Sequence, residues 1–322
     1  MSAEPRISVV VASYERRDLL RRYLESMCEQ DGDPAAFEVI VVDDGSRDGT
    51  SEMVGEQRTP FECRLIRRPN RGQASALNAG IEAARAPLCL VMDDDLIATR
   101  GLVSAHLGAH DGADALLAIG SLAQRPVDNP RDWYAHAFAE SWNRRHEELS
   151  RRRAWWSDCY GANFSVATER LRQVGGFDVT LPAAYDLELA YRLVEAGCEA
   201  RYVPAAEAIH DDGKSGRRIL ADQHRYGTVC PSLIDRHPGM SPRTIDWYRA
   251  ASPRELALRR ALSALRVPPA ILLGPGRLLP AGRPRMLWFD FVSHYAFWEG
   301  VKRTTDPDRW RRIVTTPVPV QE

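Results

Sequence analysis

The sequence predicts an α/β fold, in which a mostly parallel, Rossmann-like central sheet is flanked by helices and followed by a helical C-terminal extension. Three observations predict it. The runs VVVA, VIVV and LCLVM are short and apolar on both faces, as strands in the interior of a parallel sheet are. Segments with apolar residues at helical spacing lie between such runs, so the first half reads as βαβ units. From about Met240 onward the alternation stops, and Pro and Gly divide what remains into helices.

Taken in order, the first strand is Ile7 to Ala12, followed by Ser13-Tyr14-Glu15. Leu19, Leu20, Tyr23, Leu24, Met27 and Cys28 then repeat at helical spacing until Gly32 and Pro34. Glu38 to Val42 forms the second strand; Asp43-Asp44-Gly45-Ser46 turns and caps a short helix from about Thr50. Cys63 to Arg67 is the third strand, Pro69 to Gly72 a loop, and Gln73 to Ala84 a helix. Pro87 to Met92 leads into Asp93-Asp94-Asp95. A helix from about Arg100 to His110 and a strand from Ala115 to Gly120 complete a doubly wound half. Asn129 to Arg153 is a charged helical stretch with an aromatic stripe, read as core. An aromatic loop at Trp155-Trp156 enters a strand ending near Val166, and a helix from about Thr168 closes on Gly175-Gly176-Phe177-Asp178. The run Tyr185 to Ala196 is amphipathic and ends at Gly197. A strand near Ala200 to Val203 precedes a polar loop, His210 to Arg218. Helices at Pro253 to Leu265 and Pro284 to Arg303 follow.

Composition narrows the classes of function. The 322 residues are 44% hydrophobic and 27% charged, ordinary for a globular chain, and the net charge of −1 argues against a nucleic-acid partner bound through bulk charge. Six singly spaced cysteines fit neither a zinc site nor a disulfide frame. MSAEPRISVV carries no leader pattern, and Val267 to Ala281 and Met286 to Trp298 are too short to span a bilayer. A cytoplasmic location is therefore expected, with peripheral contact at the inner membrane face as the alternative.

Three adjacent carboxylates at a strand end repel one another and call for a counter-charge. Ligands of open α/β sheets gather at such strand ends. In an extended chain Asp93 and Asp95 would face one side and Asp94 the other, so that the outer pair could share Mg2+ or Mn2+ with substrate phosphate. A solvated acidic turn is the competing reading. In the Tyr185 to Ala196 helix, Asp186 and Glu188 diverge by roughly 200°, so they cannot serve one pocket. Glu188 is expected to form a solvated pair with Arg192.

The ordered set ISVVVASYERRDLLRRYLESM, VIVVDDGSRDGT, NRGQASALNAGI, LVMDDDLIA, GGFD and YDLELAYRL resembles glycosyltransferase family 2, with the GT-A fold, over about residues 5 to 230. The resemblance implies a nucleotide-diphospho-sugar donor, commonly a UDP-sugar, with Mn2+ or Mg2+ and inversion at the anomeric carbon. It implies that Ser13, Tyr14 and Glu15 form the base slot and that Asp44 bonds the base. Arg71 would contact base or phosphate, with Asn78 in the same donor-binding motif. Asp93 and Asp95 would hold ribose and metal, with Asp94 beside them at the donor. Asp186 would be the catalytic base, although the usual preceding Glu is Tyr185 here. His210 matches a position that often supplies a further metal ligand, though taken alone it is a loop histidine. Arg225, with Arg217 and Arg218, would assist the diphosphate.

On this basis the expected organisation is a catalytic domain over residues 1–235, with its donor half at 1–122 and its acceptor half at 123–235, then an extension at 236–322. Helix dipole and burial oppose each other at Asp186, and both outcomes stay open. A nucleotidyltransferase would need a glycine-rich phosphate loop that Ser13 to Arg17 lacks, and a dead sugar-nucleotide-binding protein would not need the aspartates intact. The acceptor, whether glycan, lipid, peptide or small natural product, is not specified. The aromatic helix at 284–303 is read as packing, with a membrane face or a homodimer contact as alternatives.

Overall fold

A computed structural model describes residues 4–113, 115–125, 127–240, 252–306 and 308–309. The expected alternation is present: β1 (Ile7–Ser13), α1 (Arg17–Cys28), β2 (Phe37–Asp43), α2 (Thr50–Glu56), β3 (Glu62–Arg67), α3 (Gln73–Ala83) and β4 (Leu88–Asp93). A short β5 (Leu96–Ala98), α4 (Leu102–Ala109), β6 (Leu116–Gln124) and α5 (Trp133–Leu149) follow. Then come β7 (Asn163–Ala167), α6 (Thr168–Gln173), α7 (Tyr185–Glu195) and β8 (Glu199–His210).

The sheet order is β3-β2-β1-β4-β7-β6-β8-β5. β1 and β2 are buried at every residue, which is why their runs show no polar alternation. Pairing is parallel along β3-β2-β1-β4 and in β6-β8, whereas β7 is antiparallel to both β4 and β6, and β5 is antiparallel to β8. The sheet is therefore more mixed beyond β4 than the sequence suggested. Apolar spacing reports that a strand is buried and says nothing about its direction. β8 is also much longer than expected, so His210 is the last residue of a strand and not part of a loop.

By Cα proximity the chain divides into two compact units, 1–125 with 142–181 and 185–212, and 126–141 with 182–184 and 213–322. The expected boundary at 235 falls inside the second unit. The first unit holds the whole sheet. Its core is filled by Val9, Val11, Leu20, Leu24, Val39, Leu90 and Met92 among others. Gly80 of α3 lies directly against Val10 and Val42, where a Cβ would collide.

In the second unit α8 (Gly216–Arg236), α9 (Pro253–Ala264), α10 (Leu273–Gly276) and α11 (Arg283–Arg303) are the described helices, apart from the start of α5. Residues 241–251 and 310–322 of the expected extension lie outside the described residues. Phe289, Phe291, Tyr295, Phe297 and Trp298 are buried, packed with Trp133, Tyr134, Ile219 and Leu220 or, for the last two, with Cys230. These five aromatics of 284–303 thus build the unit's core, while Trp288 is half-buried beside it. Their polar atoms are satisfied: Tyr134 Oη lies 2.7 Å from Ser293 Oγ, and Tyr295 donates to Val267 O at 2.7 Å. All six cysteines are free.

Candidate active site

The loops that leave β1, β2 and β4 meet at one edge of the sheet. β4 ends at Asp93, and the chain turns there, so alternation no longer governs the next two side chains. Asp93 accepts from Gln73 Nε2 at 2.9 Å. Asp94 and Asp95, both 3% exposed, converge instead on Arg16, whose Nη1 lies 2.7 Å from Asp94 Oδ1 and 3.0 Å from Asp95 Oδ2. The same guanidinium approaches Asp212 Oδ2 at 3.9 Å. The expected split, Asp93 with Asp95 and Asp94 opposite, is therefore corrected: the strand geometry behind it stops one residue too early.

Arg16 is the counter-charge that three neighbouring carboxylates require, and the sequence reading missed it. Its only sequence signal is an arginine three residues past a strand end that faces acids. Burial works against its charge, yet Asp94 and Asp95 hold its pKa above the ordinary arginine value. Asp94 is pushed up by burial, which outweighs the pull of Arg16 and Ser13 in the other direction.

Ser13, expected in a base slot, donates to Asp94 Oδ2 at 2.7 Å. Tyr14 stands 48% exposed at the mouth of the same loop. Glu15 adopts φ +54° and ties two loops together, its N–H donating to Ser46 Oγ and its carboxylate accepting from the Arg47 N–H. Asp44 accepts from the backbone N–H groups of Arg71 and Gly72, the latter at 2.7 Å, and pairs with Arg68 Nε at 3.3 Å. Arg71 therefore reaches Asp44 through its backbone, and its side chain is exposed. Asn78, expected at the donor, is committed elsewhere: its amide accepts from Phe177 N at 2.7 Å and donates to Phe177 O at 2.9 Å. That clip holds the GGFD loop. Arg225 sits on α8 in the second unit, 2.6 Å from Asp222.

α7 presents Asp186 in its first turn, 8% exposed, and Oδ1 makes no hydrogen bond among the described residues. Burial raises its pKa from 3.8 to about 6, against the downward pull of the Leu187 and Asp186 backbone N–H groups. Desolvation thus outweighs the helix terminus. Gly161 makes room for this carboxylate, since a Cβ there would lie 2.7 Å from Asp186 Oδ2. Tyr185, in place of the usual acid, donates to Gln73 Oε1 at 2.8 Å, so Asp93, Gln73 and Tyr185 form a chain from β4 to the start of α7. Glu188 does pair with Arg192, at 2.7 Å, but its carboxylate is buried and the arginine half-buried, so the pair is not the solvated one expected. Arg192 also holds the carbonyls of Val174 and Gly176. In the preceding loop Trp156 is buried edge-on to Tyr191, and Trp155 lies under Arg153.

The pattern matches the model of glycosyl transferase family 2 over residues 8–174. The chain belongs to glycosyl transferase family 2. It is 28% identical to validoxylamine A glucosyltransferase of Streptomyces hygroscopicus subsp. limoneus over 268 residues, covering 74% of this chain and 58% of that one. It is 29% identical to pre-mycofactocin glycosyltransferase of Mycobacterium tuberculosis over 238 residues, covering 72% and 48%. This family 2 chain thus spans about half the length of the curated relatives it matches. In fold it is similar to the mannosyltransferase PcManGT of Pyrobaculum calidifontis, solved with GDP-Man and Mn2+, at 23% identity and a TM-score of 0.64 over 92% of this chain and 86% of that one. S. aureus TarS solved with UDP-GlcNAc gives a TM-score of 0.52 at 15% identity over 92% and 91%. The fold is that of GT-A glycosyltransferases.

Two side chains of metal-ligating chemistry, Asp95 and His210, come together at the acidic strand end. His210 Nδ1 lies 3.5 Å from Asp95 Oδ1 and makes no hydrogen bond among the described residues. No group of three or more metal-ligating side chains occurs among the described residues. A cation here would draw its other ligands from water and substrate phosphate, as Mg2+ commonly does.

Proposed function

We propose that this family 2 chain transfers a sugar from a nucleotide-diphospho-sugar, a UDP-sugar in the first instance, to an acceptor hydroxyl with inversion, using a divalent cation and Asp186 as general base. The observation that carries the reading is the Asp186 carboxyl, buried, without a hydrogen bond at Oδ1 among the described residues and with a pKa of about 6, on a helix whose first residue, Tyr185, bonds through Gln73 to the acidic strand end. A base with that pKa is largely ionised at neutral pH yet basic enough to accept a proton in the transition state.

In the proposed step the acceptor oxygen attacks the anomeric carbon, its proton passes to Asp186, and the bond from that carbon to the diphosphate breaks with its electron pair leaving on phosphate. Tyr14 and the loop held by Asp44 flank the base, and Ser13 fixes Asp94 at the donor end. Asp95 and His210 would hold a cation that stabilises the departing diphosphate. PcManGT and TarS, which bind GDP-Man and UDP-GlcNAc, support a sugar-nucleotide donor and leave its base to be read by experiment.

The test is hydrolysis and transfer with UDP-, GDP- and dTDP-sugars, with Mn2+ or Mg2+ and with chelator. Metal-dependent turnover of one donor class is expected. Asp186→Asn is expected to lower transfer by about 10²–10⁴-fold while leaving nucleotide affinity nearly unchanged. Normal transfer by that variant would move the base elsewhere, and no turnover or binding with any donor would sink the enzyme reading.

A further inference from the structure

We propose that the outward side of the segment Leu265–Leu287, in the second unit, is a docking surface for an anionic phospholipid membrane. Four large apolar side chains in this segment stand in solvent: Leu265 is 76% exposed, Ile271 61%, Leu278 88% and Leu287 60%. Isolated exposed leucines are ordinary; four within one short segment are not.

Loose packing does not explain them, because the segment's inward side is pinned. Leu272 is buried in the unit's core, and Gly276 abuts the Trp133 ring. Three side-chain donors hold its carbonyls: Tyr295 bonds Val267 O at 2.7 Å, Trp288 bonds Leu272 O at 2.9 Å and Trp133 bonds Leu273 O at 2.8 Å. The exposed side chains therefore project from a fixed backbone and lose little conformational entropy on docking.

Charge identifies the occupant. From Leu256 to Phe289 the chain carries six arginines and no Asp or Glu, although the whole protein has a net charge of −1. Arg259 of these is buried against Glu255, and Arg285 is half-buried with its guanidinium on Leu279 O. Arg260, Arg266, Arg277 and Arg283 are exposed and form no ion pair among the described residues. Exposed apolar side chains that alternate along the segment with unneutralised arginines suit an anionic bilayer interface, where apolar side chains enter the acyl boundary and guanidinium groups stay at the headgroups. A second copy of this chain would bring the same positive charge against itself. No helix among the described residues is long and apolar enough to cross a membrane, so the contact would be peripheral.

The test is co-sedimentation of the full chain, without donor or metal, with vesicles of phosphatidylglycerol and phosphatidylcholine, and with phosphatidylcholine alone. Because no turnover is measured, the result stands apart from the proposed transfer activity. Binding is expected only to the anionic vesicles and is expected to weaken as salt is raised. Arg277→Gln and Arg283→Gln should each lower the partition coefficient by about fivefold. Leu265→Ser with Leu278→Ser should lower it by at least about tenfold. Unchanged circular dichroism and melting temperature would show that the fold persists in these exposed-site variants. Equal binding to both vesicle types, no binding, or variants that bind like the wild type would overturn the proposal. So would a concentration-dependent dimer that these substitutions disperse without any vesicle binding.

Discussion

At the scale of single residues, Asp186 and Arg16 have opposite electrostatic problems. The Asp186 carboxyl has a pKa of about 6 in the folded chain and 3.8 as the ordinary value, so between these pH values the folded state binds the extra proton. Its raised pKa means that folding is favoured most below about 3.8, and the contribution is lost as pH rises through about 6. Asp186→Asn should therefore stabilise the protein at pH 8 by up to about 3 kcal/mol and change little at pH 3.5, as urea unfolding at the two pH values would show. An equal change at both would mean packing, not charge. If Asp186 is the base, kcat/KM should rise with pH to a plateau above about 6. Arg16 compensates acids where Asp186 has no cation beside it. Arg16→Gln leaves Asp94 and Asp95 against Asp212, and a loss of about 1–3 kcal/mol is expected, less than for a fully buried pair because the arginine is 28% exposed. If that cluster is the metal end of the site, Mn2+ should raise the melting temperature of Arg16→Gln more than that of the wild type. A smaller rise would separate the cluster from metal binding.

At the scale of elements, the strands and helices were legible because burial and periodicity are local properties. The boundaries of α1, α3, α7 and the C-terminal helix fall within a residue or two of the apolar pattern. The loops were legible in composition and not in connection. Gly175 and Gly176 mark a turn on sight, but nothing local shows that Gly176, at φ +67°, is packed with Asn78 Oδ1 2.5 Å from where a Cβ would be. Gly176→Ala should thus cost about 1–3 kcal/mol from backbone strain and from displacing the Asn78 clip. Thermal unfolding would measure it, and an unchanged midpoint would show that the loop yields. Donor binding should weaken together with stability if that loop positions α7. Asn78 itself illustrates the limit of motif reading: the residue type was expected in the site, and its amide holds the backbone next to it.

At the scale of the whole molecule, six free cysteines, four of them buried and Cys28 and Cys63 half-buried, predict that a thiol reagent modifies at most two promptly in the native protein and six after unfolding. More than two fast thiols would contradict the packing of the sheet core. The division into two units puts α8 with the later helices, which sequence position alone did not indicate, because a domain is defined by contacts and not by where strand signals stop. The sequence by itself determined the α/β class, the order of elements, the family resemblance and the residue types at the acidic edge. Each of these resides in local periodicity or in motif order. Only the tertiary structure decided the direction of β7, the burial of the C-terminal aromatics, the rise of the Asp186 pKa and the cation that faces the aspartates. These depend on distant partners: Ser13 and Arg16 meet Asp94 across 81 and 78 positions of chain. No window of sequence contains both ends of such a contact, and its energy exists only once the strands are side by side.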